Sequence, residues 1–207
     1  MSPLELSRVV NGWYLTTVTG TGAAAGAAAI VPNGWVQVPV AAVDLASFLE
    51  ASVFYTLAIA EIHGLHPEDV ERRRLLVTFV LVGDSAASTL LKPLFGRSVP
   101  YWGKTIVKKI PMTAINAANK ILGPRFITKY GVKQGALVLG KQIPLGIGVV
   151  VGAAGNHAFG WFIIGSAKKT LGPPPASWDH LENDDANVVG NEPTSWGDAS
   201  EPSSAGE

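Results

Sequence analysis

Residues that could bind a metal ion or move a proton are concentrated in the segment 60–74, AEIHGLHPEDVERRR. Imidazole and carboxylate groups suit zinc or iron, so three of these residues are candidate metal ligands: Glu61, His63 and His66. Their spacing is not that of a helical HExxH motif, whose two histidines are four residues apart. The segment also fits a joint between two helices, because glycine is favoured just past a helix end and Pro67 suits a first turn. We predict the joint and expect no bound metal or cofactor.

Three further ionisable residues lie in apolar surroundings and are weak candidates for catalysis: Asp44, Glu61 and His157. Asp44 and Glu61 are seventeen residues apart, which does not place them on one face of a helix. Their spacing therefore does not support paired-carboxylate chemistry. His157 lies in a long uncharged stretch, where an ionisable group would be functional if that stretch spans a membrane. An enzyme, either a hydrolase or a lipid-modifying protein, would need these groups to meet in one cavity.

A glycine-rich run, VTGTGAAAGAAAI at residues 18–30, resembles the outline of a dinucleotide-binding turn. Such a site needs a strand, a tight glycine turn, a helix and a second strand. The glycine spacing is one residue too long for this pattern, and no later β-α-β alternation follows. We favour close helix packing through small residues spaced four or fewer apart, as in membrane proteins. The predicted packing residues are Gly22, Gly26, Gly148, Gly152 and Gly155.

The remaining pattern predicts an all-α bundle, rich in glycine and alanine, at residues 1–171. Apolar residues at steps of three and four predict helices over about 3–18, 39–63, 67–91, 104–122 and 124–140, and a last helix or hairpin over 144–170. Residues 172–207 are rich in proline, glycine, serine and acid, so we predict a disordered tail. Within that tail, Trp178 and Trp196 could be isolated aromatic residues or short anchors.

Composition and charge favour contact with a membrane. Charged residues make up 15% of the chain, against roughly 25% in ordinary soluble domains. Net charge is zero, but all 16 basic residues precede Gly172 and eight of the 16 acidic residues follow it. The body is therefore about +8 and the tail about −8. A basic body with few charges suits an anionic lipid surface, and we expect no nucleic acid partner.

Two long uncharged stretches, around residues 15–38 and 142–167, are long enough to cross a bilayer. Glycine, alanine and threonine dilute both, so each could instead be an interfacial segment or a hairpin buried in a soluble bundle. Basic residues with aromatic neighbours between about 97 and 133 suit the headgroup region, although an ordinary solvated face fits as well. This predicted basic face comprises Arg97, Tyr101, Trp102, Lys104, Lys108, Lys109, Arg125, Lys129 and Lys133.

The order of these segments resembles the EcsC family, whose bacterial founding member is encoded beside an ABC transporter. The resemblance covers about residues 15–170. It rests on the glycine-rich run, on VPVAAVDLASFLEASVFYTLAIAEIHG, on RRRLLVTFVLVGDSAAS, on KKIPMTAINAANKILGPRFITKYGVKQGALVLGKQIP and on GIGVVVGAAGNHAFGWFIIGSAKK. The resemblance implies a helical protein at the bacterial cytoplasmic membrane, and it supplies no catalytic residues. Only Asp44 is carried over, as the acid of the family-like helix.

These observations together predict a non-enzymatic, membrane-associated accessory protein linked to transport or to the regulation of a membrane protein. It would be peripheral to the bacterial cytoplasmic membrane or partly inserted, with the acidic tail in the cytoplasm. The alternatives are the enzyme described above and a soluble helical interaction module. The soluble module requires both uncharged stretches to be buried inside one bundle.

Overall fold

The computed structural model describes residues 1–28, 34–83, 87–89, 101–124 and 147–179. Regular structure within these ranges is helical and contains no strand, which confirms the predicted all-α class. Residues 87–89 are helical, and the longer helices are α1 (Pro3–Ala28), α2 (Gly34–Ile62), α3 (Val70–Val82), α4 (Trp102–Lys108), α5 (residues 112–124) and α6 (Ile147–Leu171).

Helix α1 runs without interruption through residues 18–28 of the glycine-rich run, ten residues beyond the predicted end at residue 18. A reciprocal cap fixes its start: the backbone N–H of Ser2 donates to the Glu5 carboxylate at 2.8 Å, and the Glu5 N–H donates to Ser2 Oγ at 3.3 Å. Glycine and threonine have low helix propensity, but tertiary packing overrides propensity. The dinucleotide-site alternative needs strands at residues 13–18 and 35–38, and both segments are helical.

Helix α1 packs antiparallel to both α2 and α6. Along α2, Tyr14 contacts Ser52 and Asn11 contacts Tyr55, so chain positions rise on one helix as they fall on the other. Along α6, Gly22 lies against Gly152, and Gly160 lies against Leu15 and Val18. Helices α2 and α6 are therefore parallel, and they meet below α1 through the rings of Phe48 and Phe159.

The predicted joint between two helices is present after α2. The N–H of Leu65 donates to Ala60 O and the N–H of Gly64 donates to Glu61 O, while Gly64 adopts a positive φ of 64°. This is the hydrogen-bond pattern that closes helices at a glycine. Helix α3 begins at Val70, three residues later than the predicted Pro67, because Asp69 is the extended residue that precedes the first turn.

The predicted helix over 104–122 is two helices. Helix α4 ends at Lys108 and α5 begins at residue 112, with Pro111 between them. Proline has no backbone N–H to continue the helical bonding, which explains the break. The predicted helix over 124–140 lies outside the described residues, apart from residue 124.

Helix α3 supplies much of the core, because almost every residue of its second half is buried. Leu75, Leu76 and Phe79 are fully buried, and the Phe79 ring lies 5.6 Å from the ring of Trp102. Trp102, with 2% exposure, thus joins α4 to α3.

The described part of the predicted tail, residues 172–179, contacts the body. The indole N–H of Trp178 donates to the backbone carbonyl of Met1 at 2.9 Å, and Trp178 packs against the core cluster. This contact joins the last described residues to the first, which agrees with the interpretation of Trp178 as a short anchor. Residues 180–207, including Trp196, lie outside the described residues.

Candidate functional site

The three weak catalytic candidates lie at separate places. Asp44 is 4% exposed and lies between α2 and α6, whereas Glu61 is exposed at the far end of α2 and His157 is exposed on α6. The cavity and the groove described below are lined by none of the three. The geometry thus gives an enzyme that combines these groups no support.

Asp44 has a partner that the sequence did not indicate. Asn156 Nδ2 donates to Asp44 Oδ1 at 3.0 Å, and both residues are buried. The two residues are 112 positions apart, so only the packing of α2 against α6 brings them together. Buried polar groups need such partners, which makes this pair a fixed contact between the two helices.

His157 is engaged in a polar contact between α1 and α6. Its Nε2 accepts the indole N–H of Trp161 at 3.0 Å, because an indole nitrogen only donates. The proton of neutral His157 is then on Nδ1, which donates to Thr19 Oγ1 at 3.0 Å. Both ring nitrogens are occupied in this way, so His157 serves as a link between helices at the surface.

The candidate metal ligands do not converge. His66 Nδ1 lies 2.9 Å from the Glu61 carboxylate at the surface. The ring of His63 turns inward, where Nδ1 lies 2.7 Å from Ile59 O and Nε2 lies 3.2 Å from Gly172 O. Within the described ranges no group of three potential metal-binding side chains exists. His63 instead connects the end of α2 to the residue that follows α6.

Of the predicted packing glycines, Gly22 and Gly152 lie in direct contact where α1 crosses α6. Gly22, Gly26 and Gly152 are buried, Gly155 is half-buried, and the surroundings of Gly148 lie outside the described side chains. A Cβ atom on Gly22 would collide with the carbonyl oxygen of Gly152 and approach Asn156 Nδ2 to 2.8 Å. Only glycine permits this approach, which also places Asn156 beside Asp44.

Two stacked tyrosines stabilise the contact between α1 and α2. The ring centroids of Tyr14 and Tyr55 are 4.4 Å apart. The Tyr14 hydroxyl hydrogen-bonds Ser52 Oγ at 2.8 Å, and the Tyr55 hydroxyl donates to Asn11 Oδ1 at 2.8 Å. Burial raises the pKa of both phenols well above the usual value near 10, because the charged form is poorly solvated there.

Large apolar side chains are exposed on the outer sides of α1, α2 and α6. Trp13 is 74% exposed, Phe54 67% and Trp161 55%. Trp13 and Phe54 line one shallow groove between α1 and α2, and Trp161 lies on the opposite seam of α1, beside the His157–Thr19 contact. We call these three residues the apolar face. Trp13 and Phe54 line the same groove, and an exposed apolar patch of this kind marks a contact surface for a protein or a membrane.

Two helical segments within the described residues are long and apolar enough to cross a membrane, Pro39–Ile62 and Val149–Leu171. About 39% of the most apolar part of the first segment and 33% of that of the second are buried in the bundle, so most of each part faces outward. The second segment overlaps the predicted stretch 142–167. The first differs from the predicted stretch 15–38, because the part of α1 that follows Arg8 is uncharged without being strongly apolar.

The structure corrects one member of the predicted basic face. Trp102 is buried against Phe79 and cannot reach a headgroup region. Tyr101 is 48% exposed, and Lys104, Lys108 and Lys109 are exposed on and just after α4. Arg97, Arg125, Lys129 and Lys133 lie outside the described residues.

Comparison of the chain with protein-family models, with curated proteins and with solved structures finds no match. The resemblance to the EcsC family therefore stays a prediction from the sequence.

Proposed function

We propose that this protein is a non-enzymatic accessory protein that attaches to the cytoplasmic membrane through its apolar face. The observation that carries the proposal is the exposure of Trp13, Phe54 and Trp161 on three adjacent helices, two of which contain a segment apolar enough for a bilayer. Tryptophan is enriched at membrane–water interfaces, where its ring is apolar and its N–H remains hydrogen-bonded.

The charge distribution supports attachment to an anionic leaflet. The exposed lysines of α4 and its end, Lys104 and Lys109, add positive charge near the surface of the bundle. Each basic residue near an anionic membrane surface contributes about 1 kcal/mol of attraction. We therefore propose that apolar contact anchors the protein and that the basic residues strengthen the attachment. A membrane protein, such as a transporter, is the partner we propose for the attached state.

A vesicle flotation assay tests the apolar contact. Burying an apolar side chain of this size contributes about 1.5–3 kcal/mol, of which about two thirds is available at Trp13 and Phe54. The double variant Trp13→Ser, Phe54→Ser should bind neutral phosphatidylcholine vesicles at least about thirtyfold more weakly than the wild type. Neutral vesicles are used because they remove the contribution of the lysines.

Val70→Ser is the matched control, because Val70 is 72% exposed at the start of α3, outside the apolar face. It should bind vesicles as the wild type does, and circular dichroism and thermal melting should show all variants folded. Unchanged flotation of the double variant would exclude the apolar face as the attachment surface.

A further inference from the structure

A cavity of about 490 Å³ opens at the end of the bundle where α1 begins and where α2 and α6 end. This volume is within the usual range of about 300–1,000 Å³ for small-molecule sites. Its twelve lining residues come from all three helices, from His63 just after α2, from Tyr101 and from the segment that follows α6. Neither the metal candidates at the surface nor the apolar face uses this cavity.

The cavity contains positive charge and no carboxylate. Arg8 of α1 and Lys168 of α6 both line it, and none of its lining residues is aspartate or glutamate. In the part of the chain that the structure describes, neither cation is within ion-pair distance of a carboxylate. Glu5, the nearest acid along α1, is instead bound to the N–H of Ser2 at the helix start. The cavity is therefore suited to an anion.

Polar groups beside the two cations add further donors. The Asn11 side chain accepts the Tyr55 hydroxyl through Oδ1, which leaves its Nδ2 as a donor. The backbone carbonyl of Gly172 lies 3.2 Å from His63 Nε2. A carboxylate or phosphate would thus meet two cations and an amide N–H, which form charge-assisted hydrogen bonds.

The rest of the wall is apolar. Leu4, Ile59, Pro173 and Pro174 line it together with the ring of Tyr101. Tyr101 has a φ of 55°, in the left-handed region that non-glycine residues seldom occupy. Its ring lies against Gly172, where a Cβ atom would be 3.1 Å away. Backbone strain of this kind concentrates at ligand sites, and here it sets an aromatic ring at the edge of the cavity.

We infer that this cavity binds a single-chain anionic amphiphile, with its carboxylate or phosphate headgroup between Arg8 and Lys168 and its chain along Leu4, Ile59 and the two prolines. Arg8 and Lys168, which form no ion pair with a described carboxylate, favour this class of ligand over a neutral lipid. The apolar wall also favours an amphiphile over a small inorganic anion, because such an anion would leave that wall in contact with water.

Isothermal titration of the full chain with oleate, below the concentration at which oleate forms micelles, tests the inference. We expect one oleate per chain. Arg8→Gln and Lys168→Gln should each weaken oleate binding about tenfold, because each removes a charge-assisted contact. Lys169→Gln is the matched control: Lys169 is exposed on the same helix but does not line the cavity, so this variant should bind as the wild type.

Three further probes define the headgroup and the chain. Oleyl alcohol and inorganic phosphate should each bind at least tenfold more weakly than oleate. Oleoyl lysophosphatidate compares a phosphate headgroup with the carboxylate of oleate. Tighter binding than oleate identifies a phosphate ligand, and weaker binding identifies a carboxylate ligand. Absence of oleate binding, equal binding of oleyl alcohol, or equal affinity of Arg8→Gln and Lys168→Gln with the wild type would overturn the inference.

This test is separable from the test of membrane attachment. The variant Trp13→Ser, Phe54→Ser leaves the cavity lining intact, so it should keep wild-type affinity for oleate in solution. Lys168→Gln should in turn keep its binding to neutral vesicles. Failure of either proposal therefore shows in a different variant and a different assay.

Discussion

Substitution of Gly22 by alanine tests the contact between α1 and α6 most sharply. The added Cβ atom would collide with the backbone carbonyl of Gly152 and would lie 2.8 Å from Asn156 Nδ2. A backbone carbonyl cannot rotate away as a side chain can, so α1 and α6 must separate. The expected result is a less stable protein in which the buried Asp44–Asn156 hydrogen bond is weakened.

The magnitude follows from three contributions to the free energy of unfolding. Overpacking a core contact costs about 1–3 kcal/mol. Disturbing a buried hydrogen bond costs about 1–3 kcal/mol more. Replacing glycine by alanine within a helix returns about 1 kcal/mol. We expect a net loss of roughly 1–5 kcal/mol, and each kcal/mol lowers the melting temperature by about 2–4 °C in a chain of this size.

Gly20→Ala is the matched control, two residues earlier on the same helix. A Cβ atom on Gly20 meets nothing within 4 Å, so only the gain in helix propensity remains. This variant should be about 0.5–1 kcal/mol more stable than the wild type. Thermal unfolding of both variants, followed by circular dichroism, makes the comparison. Equal stability of Gly22→Ala and Gly20→Ala would refute the packing role of Gly22.

Two further predictions concern pH and the acidic tail. The unfolded chain loses the protons of Tyr14 and Tyr55 near pH 10 while the folded chain keeps them, so stability should fall above pH 10 by about 1.4 kcal/mol per tyrosine per pH unit. Urea titrations at pH 8 and 11 measure this, and equal midpoints would contradict it. Deletion of residues 180–207 removes seven acidic residues and keeps Trp178 in place, so it should strengthen binding to anionic vesicles several-fold at low salt. Unchanged binding would contradict shielding by the tail.

Much of the fold could be predicted from the sequence because its signals are local. The period of apolar residues indicated α2 and α6, and the HGLHP segment predicted the joint at Gly64, which its hydrogen bonds confirm. Helix boundaries that depend on a single residue are harder to predict from the sequence. Pro111 was placed inside a predicted helix, and Asp69 moved the start of α3 by three residues.

The polar contacts could not be predicted, because they join distant parts of the chain. The sequence draws attention to His157, although it is the neighbouring Asn156 that faces inward to Asp44. Its only sequence signal is its position four residues after Gly152, on the packing side of α6. The cavity combines residues from both ends of the chain, so no local pattern could reveal it. The sequence does not show that Trp102 is buried, because an aromatic residue beside lysines gives the same pattern in a core and at an interface.

The two candidate membrane segments also show how lack of charge differs from apolarity. Residues 15–38 contain no charge, but the threonines and glycines of α1 keep that helix below the hydropathy of a span. Helix α2 contains Asp44, Glu50 and Glu61, yet its segment Pro39–Ile62 has a mean hydropathy of 1.5. Aliphatic and aromatic content, and not lack of charge alone, therefore decides which helix contains a segment apolar enough to cross a membrane.

Fractionation of cells that contain the full chain tests membrane attachment most directly. Membranes should be washed at neutral pH with 1 M salt and then with detergent, because an alkaline wash would ionise Tyr14 and Tyr55 on unfolding. Attachment through the apolar face predicts that the protein stays with the membranes in salt and is released by detergent. Recovery in the soluble fraction, or complete release by salt alone, would contradict it.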